Sequence, residues 1–187
     1  MRKVKSVLGI IGSPRKKGNT HMLVSRILEG ARSGGARCEE LFLSDLKIGE
    51  CDGCNLCWKS GACLQDDDMK DLYPKIPTFD ALVFGTPLYW YGPTAVMKTF
   101  MDRLYYFCGG KNQGLLEGKE AALVVVFEEE DPKAADATVE MFRRSFDYLK
   151  WGFRHPLIVP GVGAKGGILK KPEVLADAFA LGQDLGR

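Results

Sequence analysis

The chain carries a compact group of cysteines whose spacing suits an inorganic cofactor. They follow the pattern C-x2-C-x2-C-x5-C and comprise Cys51, Cys54, Cys57 and Cys63. A 4Fe-4S cube takes one thiolate at each iron corner, and a chain can wrap neighbouring corners from positions three residues apart. Gly53 and Gly61 give the backbone the freedom that such wrapping requires. The spacing therefore predicts an iron–sulfur site.

The same four thiols could also have other roles. Only Cys38 and Cys108 remain elsewhere, so one cluster at most is available. Structural zinc sites usually join two Cys/His pairs separated by about a dozen residues or more, so the short spacings favour iron over zinc. Reduced, uncoordinated thiols on a glycine-containing loop remain an alternative. A disulfide framework is disfavoured, because a chain of this length does not need one.

A second segment with chemical potential reads Gly-Ser-Pro-Arg-Lys-Lys-Gly-Asn-Thr over residues 12–20. Gly12 allows a tight exit from a strand, and Ser13 and Thr20 supply hydroxyl groups. Amides at the start of the following helix and the charge of Arg15 favour an anion. The loop matches neither G-x-x-x-x-G-K-[ST] nor G-x-G-x-x-G. It predicts a cradle for a single phosphate, with an ordinary turn and helix cap as the alternative.

Apolar runs of strand length alternate with stretches of helical periodicity along the whole chain. Five predicted strands result: Val4–Ile11, Arg37–Leu43, Ala81–Gly85, Ala121–Phe127 and Leu157–Val159. This alternation predicts an α/β fold, a doubly wound parallel sheet with helices on both faces. Ligands of such sheets lie beyond the carboxyl ends of the strands. The loops after the first, third and fourth strands are therefore where chemistry is expected.

Composition narrows the possible partners and location. With 187 residues and a net charge of +2, the chain is long enough for one domain and has no general attraction for nucleic acid or anionic membranes. The apolar stretch of residues 7–11 is too short for a signal-peptide core or a membrane span. We expect a cytoplasmic protein, in which cysteines serve metal binding or redox chemistry rather than crosslinking.

Three motifs in this order resemble the NADPH-dependent FMN reductase family of flavodoxin-like proteins, and within it the iron-sulfur flavoproteins. They are residues 12–20, the cysteines followed by Asp67 and Asp68, and Gly85-Thr86-Pro87-Leu88-Tyr89-Trp90 with Lys98, Asp102 and Arg103 downstream. The resemblance implies a flavodoxin-like five-stranded sheet of order 2-1-3-4-5. It also implies a single FMN-binding domain over residues 1–187, with a cysteine-rich loop at residues 44–66.

The resemblance also implies the residues that contact each cofactor. The FMN phosphate would lie against Ser13, Pro14, Arg15, Gly18, Asn19 and Thr20. The flavin ring would lie against the loop of Thr86, Pro87, Leu88, Tyr89, Trp90, Tyr91 and Gly92. The four cysteines would bind the 4Fe-4S cluster, and the active unit would be a homodimer or homotetramer.

The residues of the third loop suit a flavin on physical grounds as well. Pro87 and Pro93 stiffen the loop, and Gly92 lets the backbone approach a ligand closely. Its aromatic side chains offer flat apolar surfaces with polar tips, although each could instead close a core or a dimer contact. Lys98, Asp102 and Arg103 have helical spacing and predict a salt-bridged surface. Residues 128–131 are all acidic and predict a solvated loop.

The leading hypothesis is an FMN-dependent oxidoreductase that passes electrons between NAD(P)H or a reduced carrier, FMN and a 4Fe-4S cluster. The flavin performs the chemistry, so no catalytic protein residue is assigned. Its partners would be small-molecule or protein electron donors and acceptors. One alternative is a cluster-free NAD(P)H-dependent FMN or quinone reductase, and another is a zinc-binding interaction domain. A phospho-receiver is disfavoured, because Gly12-Ser13 and Gly85-Thr86 stand where a receiver needs acids.

Overall fold

The structure, a computed structural model, describes residues 4–187. The first three residues of the predicted domain lie outside this range. The strands are β1 (Ser6–Ile11), β2 (Arg37–Phe42), β3 (Ala81–Pro87), β4 (Glu120–Val126), β5 (Gly152–Phe153) and β6 (Leu157–Val159). The α-helices are α1 (Asn19–Ser33), α2 (Leu56–Ser60), α3 (Met69–Lys75), α4 (Ala95–Arg103), α5 (Asp136–Tyr148) and α6 (Pro172–Leu185).

The sheet is parallel throughout, with the order β2-β1-β3-β4 and with both β5 and β6 paired to β4. The predicted fold class is confirmed, but the described residues form six strands rather than five. The fifth position is divided: β5 pairs with Glu120 and Ala121, and β6 pairs further along with Val124 to Val126. Pro156 lies between the two and has no N–H to donate to the ladder. A strand of two residues is also too short to show periodicity in a sequence.

The two faces of the sheet bury separate cores, because successive strand residues point to opposite sides. In β1, Leu8 and Ile10 face the core under α3, α4 and α5, and Val7 and Ile11 face the core under α1 and α6. The first core contains a contacting set of aromatic rings at Phe84, Phe142, Phe146, Trp151 and Phe153. Among residues 4–187, no helix is both long enough and apolar enough to cross a membrane.

Helices α1 and α6 approach closely because glycine lies at their contact. A Cβ atom added to Gly182 would overlap the Ile27 carbonyl oxygen, and one added to Gly30 would overlap the Phe179 carbonyl oxygen. The contact fixes α1, whose first turn borders the cleft described below.

We predict that Gly182→Ala lowers the free energy of unfolding by about 2–3 kcal/mol, because the added methyl group forces the backbones of α1 and α6 apart. Thermal unfolding followed by circular dichroism measures this as a fall in Tm of roughly 5–10 °C. Gly34→Ala is the matched control: Gly34 has a φ of −81° and a Cβ there would lie 3.3 Å from the nearest atom. Equal Tm values for the two variants would contradict the prediction.

Candidate functional site

The loops after β1, β3 and β4 meet at the carboxyl edge of the sheet and border one cleft. Eight residues predicted to contact FMN line it: Ser13, Arg15, Gly18, Asn19, Thr20, Pro87, Leu88 and Tyr89. Six further lining residues were not predicted: Val126, Phe127, Glu128, Val162, Gly163 and Lys165. These come from the end of β4 and from the segment after β6.

One end of the cleft is formed by the first turn of α1. Its N-cap residue, Gly18, provides no side-chain cap, and the first amides of a helix have no partner within the helix. A Cβ at Gly18 would lie 2.8 Å from the Arg15 carbonyl oxygen, so glycine keeps this loop narrow. Within residues 4–187, the Thr20 hydroxyl and the Arg15 guanidinium have no hydrogen-bond or ion-pair partner. Free amides, a hydroxyl and a cation around a helix N-terminus fit a phosphate group.

The resemblance places Asn19 against the FMN phosphate. In the structure, the side-chain amide of Asn19 forms hydrogen bonds with the backbone of a distant segment. Its side-chain Nδ2 donates to the Ala164 carbonyl at 2.8 Å, and its Oδ1 accepts from the Ile168 amide at 3.3 Å. These bonds hold residues 161–168 against the start of α1. They also bring Lys165, which has no ion-pair partner among the described residues, to the edge of the cleft.

The loop after β3 forms a tight reversal. Tyr89 and Gly92 exchange two backbone hydrogen bonds, of 2.8 and 3.0 Å, around Trp90 and Tyr91. Trp90 has a φ of 51° and Tyr91 a φ of 61°. Turns of this kind normally place Asn and Gly at these positions, and each bulky residue in the left-handed region costs about 1–3 kcal/mol. The side chain of Trp90 is nevertheless 96% exposed. Strained and exposed aromatic residues of this kind are typical of functional loops.

Thr86 stabilises this loop from behind. Its buried hydroxyl accepts from the Thr94 amide at 3.1 Å and donates to the Pro87 carbonyl at 2.9 Å. The Thr94 hydroxyl in turn donates to the Gly12 carbonyl at 2.7 Å and caps α4. Five residues of the predicted FMN set do not line the cleft: Pro14, Thr86, Trp90, Tyr91 and Gly92. For the whole set, contact with FMN stays a prediction.

The acidic loop after β4 is exposed, as expected for a solvated segment, yet it also packs against its neighbours. Glu128 lines the cleft, and a Cβ added to Gly163 would lie 2.7 Å from its carboxyl carbon. The Glu129 carbonyl accepts from the Gly161 amide at 3.0 Å. Asp131 caps the turn that leads into α5 by accepting from the Lys133 amide. Glu128 therefore adds a negative charge to a cleft lining that also contains Arg15 and Lys165.

The four cysteines of the motif line one cavity beside α4. Gly53 and Gly61 both have positive φ, 67° and 83°, as the wrapping of this loop was expected to require. Burial raises the pKa of the Cys57 thiol, and the nearby charges of the other three cysteines raise it further. Within residues 4–187, no three His, Cys, Asp or Glu side chains lie close enough to hold a single metal ion. The four thiols line one cavity, which matches the set of ligands that a 4Fe-4S cube takes, and the identity of the bound group stays a prediction.

The prediction that Lys98, Asp102 and Arg103 form a salt-bridged surface is wrong for Arg103. Lys98 and Asp102 do form an exposed ion pair, with atoms 2.7 Å apart. Arg103 does not join that surface, because its side chain is 1% exposed. It forms an ion pair with Asp67, and its Nε donates to the Tyr73 hydroxyl at 3.1 Å.

The electrostatics of the pair follow from this burial. Burial alone would raise the pKa of Asp67, but hydrogen bonds from Arg103 and from the Gly49 amide outweigh it and lower that pKa. Burial would also lower the pKa of Arg103, yet the hydrogen bonds to Asp67 and Tyr73 raise it. Both groups are therefore charged at neutral pH. A lone basic residue at the end of an amphipathic helix carries no sequence signal for such a role.

Comparison with known proteins agrees with this geometry. The family model for NADPH-dependent FMN reductase matches residues 6–152. The chain belongs to the NADPH-dependent FMN reductase family. The matched range contains residues 12–20, the cysteine loop of residues 44–66, the turn of residues 89–92 and the acidic loop of residues 128–131. The segment of residues 161–168, which completes the cleft, lies beyond it.

Relatives of this family member include archaeal proteins named iron-sulfur flavoproteins. One from Archaeoglobus fulgidus is 36% identical over 120 residues, which cover 64% of this chain and 53% of the relative. One from Methanocaldococcus jannaschii is 38% identical over 97 residues, which cover 52% of this chain and 50% of the relative. The chain thus spans about half the length of these relatives.

Solved structures share the fold of this family member. An NAD(P)H:quinone oxidoreductase from Methanothermobacter marburgensis superposes with a TM-score of 0.72 at 19% identity, covering 98% of this chain and 100% of that one. The Trp repressor binding protein from Bacillus subtilis gives a TM-score of 0.71 at 22% identity, covering 95% and 98%. Such identities show a common fold alone.

We predict that the double variant Trp90→Asn with Tyr91→Gly is more stable than the wild type by about 1–3 kcal/mol, because both residues adopt the left-handed turn without strain. Urea unfolding of the apoprotein measures this. The reference variant, Leu115→Asn, replaces a side chain that is 50% exposed and lies outside the turn, and should leave stability nearly unchanged. A loss of stability in the double variant would show that the aromatic rings themselves hold the turn.

Stability of the apoprotein should depend on Asp67 in a pH-specific way. Because the folded-state pKa of Asp67 is lowered, its contribution is complete above its unfolded pKa of about 3.9 and is lost as pH falls through the folded value. Asp67→Asn should cost about 3–5 kcal/mol at pH 7 by leaving Arg103 unpaired, and the deficit should shrink below about pH 4. Urea unfolding at pH 7, 4 and 3 measures it. Asp66→Asn, at a side chain that is 91% exposed, is the control, and a deficit independent of pH would contradict the assignment.

Proposed function

We propose that this chain is an FMN-dependent NAD(P)H oxidoreductase that also carries a 4Fe-4S cluster. The observation that supports FMN most directly is the uncapped N-terminus of α1, which opens on a cleft at the carboxyl edge of the sheet with two unpaired cations at its edge. A parallel sheet of this type binds its ligand at that edge. The family to which the chain belongs supports the same cofactor.

The phosphate of FMN would bind at the first turn of α1. The Asn19 and Thr20 amides and the Thr20 hydroxyl would donate to its oxygens, and Arg15 and Lys165 would supply charge. Asn19 acts indirectly, because its side chain holds the segment that carries Lys165. The phosphate site would thus combine the loop of residues 12–20, which is visible as a sequence motif, with the segment of residues 161–168, which is distant in the sequence and close only in the folded chain.

Six nonpolar or aromatic residues also line the cleft and would form the walls around the flavin ring: Pro87, Leu88, Tyr89, Val126, Phe127 and Val162. These walls would orient a flat ring and limit the access of water to it. When bound, FMN supplies hydride acceptance and the release of single electrons, so the protein provides position and electrostatics.

The cysteine cavity would hold a 4Fe-4S cluster through Cys51, Cys54, Cys57 and Cys63. When bound, such a cluster supplies one-electron transfer at a potential set by its surroundings. The relatives named iron-sulfur flavoproteins support this assignment. Their names describe those proteins, and for this chain the cluster remains our proposal.

A second candidate is a cluster-free NAD(P)H-dependent FMN or quinone reductase. It is favoured by one observation: the cleft and the cysteine cavity share no lining residue. Flavin binding in the cleft would therefore need no contact with the thiols. A relative from Pongo abelii, 30% identical over 99 residues, is named a ribosyldihydronicotinamide dehydrogenase [quinone].

We further propose that the active unit is a homodimer or a homotetramer in the cytoplasm, with one domain per chain. Exposed Tyr89, Trp90 and Tyr91 support association, because large aromatic side chains are typical of interfaces. All six cysteines are free, which suits a reducing compartment. Small molecules or proteins would donate and accept the electrons.

FMN binding provides the first test of the proposal. We predict that Arg15→Gln weakens FMN binding by about tenfold, because a charge-assisted hydrogen bond of about 1.5–3 kcal/mol is lost. Fluorescence titration of the apoprotein with FMN measures this. The matched control is Lys17→Gln, which removes a positive charge from the same loop at a residue that does not line the cleft. Absence of saturable FMN binding in the wild type would refute the flavin assignment.

The cluster has a separate test. Anaerobic protein reconstituted with iron, sulfide and FMN should show flavin bands and a broad absorption that bleaches with dithionite. Cys57→Ser should lose the broad absorption and keep the flavin bands. Cys38→Ser is the control, because the Cys38 thiol lies in β2 and donates to the Leu28 carbonyl. Flavin bands alone in the wild type would favour the cluster-free reductase.

A further inference from the structure

Arg103 joins the two ends of the cysteine loop. Its Nη1 donates to the Gly49 carbonyl at 2.8 Å, on the chain entering the loop. The same atom donates to Gln65 Oε1 at 2.7 Å and pairs with Asp67, on the chain leaving it. A guanidinium presents its donors in a rigid fork, so one side chain can hold several acceptors at fixed positions.

The two ends are also bonded to each other around this cation. The Gly49 amide donates to Asp67 Oδ2 at 2.9 Å, and Gln65 Nε2 donates to the Glu50 carbonyl at 2.7 Å. The loop that contains all four cysteines therefore leaves and returns at one point, and Arg103 lies buried at that point. The loop itself has little buried apolar surface, since α2 contributes no buried residue. This polar closure fixes the two ends of the loop. Its middle is held separately, because Trp58 Nε1 donates to the Tyr105 carbonyl at 2.9 Å and the Tyr106 hydroxyl donates to the Gly61 carbonyl at 2.7 Å.

Arg103 also reaches one of the predicted ligands. Its Nη2 lies 3.5 Å from the Cys63 sulfur and 3.1 Å from Asp67 Oδ1. Among residues 4–187, Cys63 is the one member of the cysteine motif whose sulfur receives a hydrogen bond from a cation. The motif is therefore electrostatically asymmetric.

We propose that Arg103 is a positioning residue for the cluster: it closes the cysteine loop and donates an N–H to the Cys63 thiolate, which favours the reduced cluster. This inference rests on the proposed cluster. Reduction adds one electron to a centre that is already anionic, and a hydrogen bond to a ligand sulfur stabilises that added charge. Because Asp67 offsets the net charge of Arg103, the local N–H is the main cause of the effect.

A purely structural role makes a different prediction. If Arg103 only stabilised the loop, its replacement would reduce the fraction of chains that hold a cluster, and the clusters that did form would keep the wild-type reduction potential. The potential of the occupied fraction therefore separates the two roles. It can be measured independently of any enzymatic turnover.

Two variants test the inference. Arg103→Lys keeps a positive charge beside Asp67, but an ammonium group cannot reach all the acceptors of a guanidinium. Arg103→Met with Asp67→Asn removes both charges, so that no buried charge is left unpaired. Asp68→Ala is the structural control: it removes the acceptor of the Lys47 amide at the loop end and leaves Arg103 untouched. Lys98→Gln removes an exposed charge from the same helix.

Each protein is reconstituted with iron and sulfide, and the bleaching of its visible absorption is titrated with dithionite at known potentials. At a given potential, the ratio of reduced to oxidised cluster should be about tenfold lower in both Arg103 variants. This corresponds to a reduction potential that is lower by about 59 mV for a one-electron couple. Hydrogen exchange of the apoproteins should show faster exchange over residues 49–67. Asp68→Ala should also speed exchange but keep the wild-type potential, and Lys98→Gln should change neither.

The possible failures are distinguishable. If the wild type holds a cluster and both Arg103 variants keep its potential, the inference is overturned and the proposed function stands. If the wild type binds FMN but takes up no iron, the cluster assignment is wrong and the inference falls with it. A shifted potential in Asp68→Ala equal to that of Arg103→Lys would also overturn it, because loop disorder alone would then account for the effect.

Discussion

The candidate site depends on the pairing of β1 with β3 and on the bonds that join the ends of these two strands. The Gly12 amide donates to the Gly85 carbonyl at 2.8 Å, and the Thr94 hydroxyl donates to the Gly12 carbonyl at 2.7 Å. Both bonds are buried, where a lost partner costs about 1–3 kcal/mol. They set the spacing between the loop of residues 12–20 and the turn of residues 89–92, and so the span of any ligand that bridges these two loops.

Helix α4 connects the two candidate sites. Its N-cap, Thr94, is bonded to the loop after β1, and its last residue, Arg103, closes the cysteine loop. At 1.5 Å per residue, its nine residues separate these two anchors by about 13 Å. The cleft and the cysteine cavity share no lining residue, yet α4 is hydrogen-bonded to a loop that borders each of them. A shift of α4 would therefore alter both sites together.

Residues whose backbone conformation or burial lowers the stability of the fold lie at these two sites. Trp90 and Tyr91 hold left-handed backbone, and Arg103 and Asp67 bury opposite charges that gain stability only as a pair. The compensating stability lies elsewhere, in the aromatic core around Phe84 and in the close contact of α1 with α6. This division is expected where function, rather than stability, selects the residues.

Local patterns in the sequence were sufficient to predict the parallel sheet, the loop after the first strand and the loop that carries the four cysteines. Strand and helix periodicities, Gly18 before a helix and short cysteine intervals are properties of neighbouring residues, which a sequence displays directly. It predicted the loops that meet at the carboxyl edge, because parallel strands end on the same side. It missed β5, since two residues show no period.

Contacts between distant residues were decided by the tertiary structure alone. Asn19 carries a motif position but bonds to residues near 164, and Lys165 reaches the cleft only through that contact. Arg103 has the spacing of a surface residue, yet the cysteine loop folds over it and buries it. A side chain's partners depend on which elements pack beside it. The periodicity of a sequence indicates which face of a helix or strand is buried, but it does not identify the distant residues that pack against that face.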